Sequence, residues 1–118
     1  MGFITVDKES WEKIVVVKEY IDENFCKDLN VTEIAEKFGL NPKVLTERFA
    51  YCFGVTVKKY ILDKKRYKFM EMIRERNPKT PLNISGYGYE LGFNSSASFR
   101  NFIKRSTGKT CTELMDEI

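Results

Sequence analysis

Apolar residues recur along this chain at spacings of three and four, and the pattern predicts helices and no strand. Trp11, Ile14, Val15, Ile21 and Phe25 fall at helical spacing, while Glu12, Glu19, Asp22 and Glu23 lie mostly elsewhere, giving an amphipathic first helix after a tail. Asn30, with Glu33 three residues on, caps a second helix whose inner face is Ile34, Ala35 and Phe38. Gly39 supplies a turn, Asn41-Pro42 restarts the chain, and Leu45, Phe49 and Phe53 are the buried stripe of a third helix. Thr56 caps a long helix carrying Tyr60, Ile61, Phe69, Met72 and Ile73 to about Arg76, where Pro78 and Pro81 break it. Asn83 then caps a helix through Leu91, Gly92 makes a turn, and a helix from about Ser95 buries Phe99, Phe102 and Ile103. Thr110 and Glu113 form a capping box over a last helix with Leu114 and Ile118 inside. The expectation is an all-α fold of seven helices.

The pattern is said twice. Leu29-Asn30-Val31-Thr32 recurs as Leu82-Asn83-Ile84-Ser85 and Phe38-Gly39-Leu40-Asn41 as Leu91-Gly92-Phe93-Asn94, each 53 residues further on (82 − 29, 92 − 39). Leu45, Phe49, Gly54 and Thr56 then answer to Phe99, Ile103, Gly108 and Thr110, 54 residues on (99 − 45), so the second copy carries one extra residue after its glycine. Each copy is a short helix, a glycine turn and a longer amphipathic helix, the order of a helix-turn-helix. The chain divides accordingly: residues 1–54 hold the tail, first helix and first helix-turn-helix, residues 55–77 the linking helix, and residues 78–118 the second helix-turn-helix and closing helix.

Charge sharpens this picture. The net charge of +3 conceals 7 Lys/Arg against 10 Asp/Glu in residues 1–54 and 13 against 7 in residues 55–118, so the half suited to a polyanion is the second. Three cysteines at wide spacing, and no histidine, match neither a disulfide framework nor a zinc site, and the thiols are expected to be reduced and mostly buried. Without histidine the chain also lacks the commonest general base, and no carboxylate pair or nucleophile-base set stands out, so the expectation is no enzyme, no metal and no cofactor. The longest aliphatic run, Ile14 to Val17, is far short of the roughly 20 residues of a membrane span, and a cytoplasmic protein is expected. Gly86, Gly88 and Gly92 have the wrong spacing for a dinucleotide loop, and the Asn-x-Ser/Thr triplets are explained by capping.

The stretch "NISGYGYELGFNSSASFRNFIKRSTGKT", with an aromatic after its turn glycine and Lys-Arg before a closing Gly-Lys-Thr, resembles the second helix-turn-helix signature of the DNA-binding domain of the AraC/XylS family of bacterial transcription regulators. "VTEIAEKFGLNPKVLTERFAYCFGVTVKKYI" is similar to the first. The resemblance spans nearly the whole chain from about Trp11, with Val57 where the family usually has proline, Tyr87-Gly88 where it favours Ile-Ala, and Ala50 and Tyr51 where lysines are common. It implies two helix-turn-helix units joined by a long helix, each placing its second helix in one of two successive major grooves. It also implies a transcription activator with double-stranded DNA as partner and RNA polymerase as a second. The DNA complex is expected to be monomeric unless a ligand-sensing N-terminal domain, which many family members carry, dimerises it.

On the second recognition helix, Phe99 and Ile103 take the inner stripe, which leaves Ser96, Ala97, Arg100 and Asn101 for base edges. Arg100 can meet guanine O6 and N7 together, and Ala97 a thymine methyl. On the first, Lys43, Thr46 and Glu47 face outward, although glutamate is repelled by phosphate, so the first unit is expected to bind more weakly. Lys58 and Lys59, with Lys104, Arg105 and Lys109, are the candidate phosphate contacts; Lys64, Lys65, Arg66 and Lys68 complete a basic run around the linking helix in which solvent is the commoner fate. Tyr87, Tyr89, Phe93 and Phe102 are expected in the core. The competing reading is a protein-interaction module whose DNA face has degenerated, favoured by Glu47, Ala50, Tyr51 and the acidic first helix.

Overall fold

Side-chain capping draws most of the helix boundaries in the computed structural model, which describes residues 8–77, 79 and 83–118, with Ser10 as backbone alone. Seven helices are found among the described residues: α1 (Lys8–Asn24), α2 (Val31–Lys37), α3 (Pro42–Phe53), α4 (Val57–Arg74), α5 (Ile84–Glu90), α6 (Ser96–Thr107) and α7 (Cys111–Glu117). Asn30 Oδ1 accepts from the Glu33 amide at 2.8 Å, Asn41 from Lys43 at 2.8 Å, Thr56 from Lys59 at 3.1 Å and Asn83 from Gly86 at 2.7 Å. Each cap satisfies an amide that the first helical turn leaves without an intrahelical acceptor. The Thr110–Glu113 box closes in both directions. The proline break at Pro78 and Pro81 lies outside the described residues.

The fold divides into two compact units, the first of α1–α3 and the start of α4, the second of the segment Phe25–Asp28, the rest of α4 and α5–α7. In the first unit Ile14, Val17 and Ile21 of α1 are buried, as are Ile34 and Ala35, Leu45 and Phe49, and Val57 and Ile61. The inner face of α1 thus runs 14, 17, 21. Val17 is inside, whereas Trp11, at the first turn of the helix, is 43% exposed, and Phe25 lies beyond the helix end. Lys18 and Asp22 pair at 3.0 Å one turn apart, the Tyr60 hydroxyl donates to the same carboxylate, and the Lys18 ammonium sits 5.7 Å from the Tyr60 ring centre. The bond to Asp22, then that to Tyr60, holds the Lys18 pKa above the ordinary lysine value.

The second unit packs around aromatic rings. Phe69 of α4 stands edge-on to Tyr87 of α5 and to Phe99 of α6, with centroids 5.8 and 5.1 Å away. Phe93, between α5 and α6, stacks on Phe102 at 5.4 Å. Tyr89 is 61% exposed and Ile118 45%, so neither belongs to the core expected for it. Of the cysteines only Cys111 is buried; Cys26 and Cys52 are half-buried free thiols. Helix α4 ends at Arg74 rather than Arg76, and beyond its end the Arg76 guanidinium donates to the carbonyls of Ile73 at 2.7 Å and Met115 at 3.0 Å.

Gly88 explains why a helix of seven residues tolerates poor helix formers. A Cβ built there would stand 2.9 Å from the Phe99 ring, so α5 and α6 approach closer than any side chain at 88 allows. Tyr87 beside it is 3% exposed and supplies the bulk. Gly92 has φ +86, and a Cβ there would meet the backbone of Cys26 and Lys27 at 2.6 Å. The extra residue of the second copy also finds its place. Leu40 and Phe93, 53 apart, donate to Ala35 and Gly88, also 53 apart, but the cap of α6 is Ser95, 54 beyond Asn41. Asn94, freed from capping, donates instead to Asp28 at 3.0 Å.

Candidate nucleic-acid interface

Helix α6 has one face in the core and one toward solvent. Phe99, Phe102 and Ile103 are buried; Ala97, Arg100, Asn101, Lys104 and Arg105 are exposed and Ser96 is half-buried. Its twelve residues hold three cations and no anion, so the only charge the helix carries is positive. Ser95 Oγ accepts the Ser98 amide at 3.1 Å and starts the helix, and Gly108 with φ 78 ends it. Arg100 Nε donates to Ser96 Oγ at 3.0 Å, one turn back, a bond that engages Nε and not the two terminal nitrogens of the guanidinium. The arginine lies in an open groove with Asn83 and Ser85 of the α5 start and Thr112, Met115 and Asp116 on the α7 side. Asn101, Lys104 and Arg105 line a second shallow recess on the same helix. All four residues expected to meet bases from α6 are therefore on one accessible strip.

The α6-proximal cations differ in how available they are. Lys104 Nζ donates to the Gly108 carbonyl at 3.2 Å, a C-terminal helix contact that leaves the ammonium exposed. Arg105 is exposed. Lys109 is half-buried and ion-paired to Glu117, so a phosphate must compete with a carboxylate for it.

Helix α3 repeats the arrangement with weaker chemistry. Leu45 and Phe49 are buried, Lys43 and Glu47 exposed, and Thr46 half-buried. Asn41 caps it and Gly54, φ 77, closes it. Two cations, Lys43 and Arg48, stand against one anion, Glu47, a net +1 where α6 has +3. Ala50 is half-buried and Tyr51 is 63% exposed, so a broad aromatic face takes the place of positive charge at the end of the helix. Lys58 and Lys59, in the first turn of α4, are both exposed.

Lys65 belongs to the basic run in sequence but not to the surface. It is 5% exposed, its Nζ donates to the Lys27 carbonyl at 3.0 Å and lies 5.0 Å from the centre of the Phe93 ring. Desolvation pushes its pKa down, partly offset by the negative charge of Asp28. Lys65 therefore leaves the set of cations available to a ligand. Arg76 was also without a sequence signal, since its partners are carbonyls brought close only by folding. Among the described residues no group of acids and cysteines is placed to hold a metal ion, and no helix is long and apolar enough to cross a membrane.

Comparison with known proteins decides the family. The model of a helix-turn-helix domain family matches residues 34–117, most of the chain and both glycine turns. The chain belongs to the AraC-type helix-turn-helix family. This AraC-type domain is similar to the solved C-terminal domain of AraT, a response regulator from Geobacillus stearothermophilus, with TM-score 0.80 and 18% identity, covering 90% of this chain and 85% of that one. It is also similar to the DNA-binding domain of AdpA, a global transcriptional factor solved with a target DNA, at TM-score 0.77 and 12% identity over 89% and 91% of the two chains. In sequence it is 23% identical over 91 residues, 77% of its length, to an uncharacterized HTH-type transcriptional regulator from Pseudoalteromonas carrageenovora. The chain spans about half of that relative (51%) and 13% of a Staphylococcus aureus relative. It is an all-α DNA-binding domain of the kind found in transcription regulators.

Proposed function

We propose that this domain is a sequence-specific reader of double-stranded DNA with two recognition helices of unequal strength, α6 and α3, and that it serves a transcription activator. The observation that carries the reading is the strip Ser96, Ala97, Arg100, Asn101 on α6, half-buried at Ser96 and exposed at the other three, free of negative charge, and opposite the buried Phe99, Phe102 and Ile103. Arg100 reads guanine through its paired donors and Asn101 is suited to adenine N6 and N7; Ala97 offers its methyl to thymine. Lys104 and Arg105 meet phosphate, and Lys109 joins them when Glu117 gives way. In the first unit Lys43, Thr46 and Glu47 face the groove, with Lys58 and Lys59 on the backbone. Glu47 accepts from a cytosine amino group but repels phosphate, so this unit contributes less affinity.

The linking helix α4 has 18 residues, about 27 Å of axial rise. That length is on the scale of the roughly 34 Å between successive major grooves on one DNA face. A single chain then binds as a monomer where most helix-turn-helix proteins pair, and RNA polymerase is the partner an activator needs. Selecting duplexes from a randomised pool and footprinting the winner tests this: two protected major-groove segments about one turn apart are expected. Protection of one segment only would leave α3 as a protein-docking surface, which its Glu47 and exposed Tyr51 also suit. A pool that never converges would end the reading.

A further inference from the structure

The turn that leads into α6 is gripped from behind. Gly92 lies so close to the Cys26–Lys27 backbone that a Cβ would come within 2.6 Å, Asn94 Nδ2 donates to Asp28 Oδ2 at 3.0 Å, and Lys65 Nζ donates to the Lys27 carbonyl at 3.0 Å while facing the Phe93 ring. Residues 26–28 are thus held between α4 and the turn, and every contact converges on residues 92–94, immediately before the Ser95 cap of α6. This is the turn that has one residue more than its counterpart in the first copy, and Asn94, at the extended place, is a residue that grips.

We propose that Lys65 is a positioning residue for base reading: buried and out of reach of DNA, it fixes residues 26–28 against the Gly92–Asn94 turn and so sets where α6 starts and how it is rotated. The inference rests on the DNA-reading role of α6. A helix that shifts by a fraction of a residue moves Arg100 and Asn101 off their base edges while leaving Lys104 and Arg105 able to find phosphate. Loss of the brace should therefore lower specificity more than general affinity. A lysine that merely filled the core would instead change stability.

Lys65→Met keeps the length and apolar stem of the side chain and removes its donor together with a buried charge that is costly to desolvate. The expected result is a fall of about tenfold in the ratio of affinities for the selected and a scrambled duplex, with amide hydrogen exchange accelerated at residues 93–98 and unchanged in α2 and α3. Asn94→Ala cuts the same brace from the exposed side, where misfolding is not at issue, and should lower the ratio about threefold with the same amides responding. If Asn94→Ala, and Lys65→Met where it folds, keep ratio and protection within about twofold of wild type, the brace does not position α6. Wild-type protein that prefers no duplex would instead refute the DNA reading itself, an outcome separable because it appears before any substitution.

Discussion

Gly88→Ala should destabilise the domain even though alanine is the better helix former. In an open helix the exchange stabilises by roughly 0.5–1 kcal/mol. Here the new methyl would stand 2.9 Å from Cγ and Cδ2 of Phe99, a fully buried ring held between Phe69 and Phe93 at centroid distances of 5.1 and 5.3 Å. The ring has no empty side to move into, so α5 and α6 must separate, and overpacking of this kind costs typically 1–3 kcal/mol. The balance is a loss of about 0.5–2 kcal/mol, or roughly 2–8 °C in Tm for a domain of this size. Thermal unfolding followed by circular dichroism, with urea titration for the free energy, measures it. Combining the change with Phe99→Leu, which removes the ring, should recover part of the loss as a coupling of at least about 0.5 kcal/mol. A Tm that rises in the single variant, or strict additivity in the double, would refute the close-approach explanation.

Gly39→Val should cost about 1–3 kcal/mol although no atom crowds the site, because φ there is +67 and a β-branched residue resists the left-handed region; unchanged thermal stability would contradict this. Arg100→Ala should weaken binding to the selected duplex by about 1–3 kcal/mol and relax preference at one base pair, whereas Lys58→Ala should weaken all duplexes alike and reduce the salt slope by about one unit. Equal effects of the two on selected and scrambled DNA would remove the base-reading role of Arg100. For pH, the lowered Lys65 pKa means that the unfolded chain binds more protons than the folded one between that value and the ordinary lysine value of 10.5, so stability gains a term that rises with pH across this window. Urea unfolding of wild type against Lys65→Met should show this rise in the difference between them, and a flat difference would show that Lys65 is not desolvated.

Helix order and ends were legible because they depend on chemistry within three residues: an asparagine or threonine side chain at 30, 41, 56, 83 and 110 meets an amide two or three positions on. The outward strip of α6 was legible for a related reason, since burying Phe99 and Ile103 leaves the opposite side no alternative. Three features were not. Lys65 sits in a run of cations whose commonest fate is solvent, and the groups that make its burial tolerable, the Lys27 carbonyl, the Phe93 ring and the Asp28 charge, are 28 to 38 residues away in sequence (93 − 65, 65 − 27). Asn94 and Ser95 are both good caps, so which one starts α6 is settled by whether Asp28 is there to accept from Asn94. Trp11 and Val17 both fit a helical stripe, and apolar spacing alone carries no information about how far along α1 the other helices reach.

The change of register inside the repeat has a practical corollary for anyone wishing to rewire this protein. Under the proposed two-helix reading, grafting the outward residues of α6 onto α3 requires an offset of 54, which pairs Ala97 with Lys43, Arg100 with Thr46 and Asn101 with Glu47. An alignment carried through at 53, the offset that correctly relates α2 to α5, would send Asn101 to the half-buried Arg48 and rotate the imported code by about 100° around the helix. With the proper frame, the triple exchange Lys43→Ala, Thr46→Arg and Glu47→Asn would give α3 the outward residues that α6 carries, and under the proposed reading both helices would then prefer the same bases.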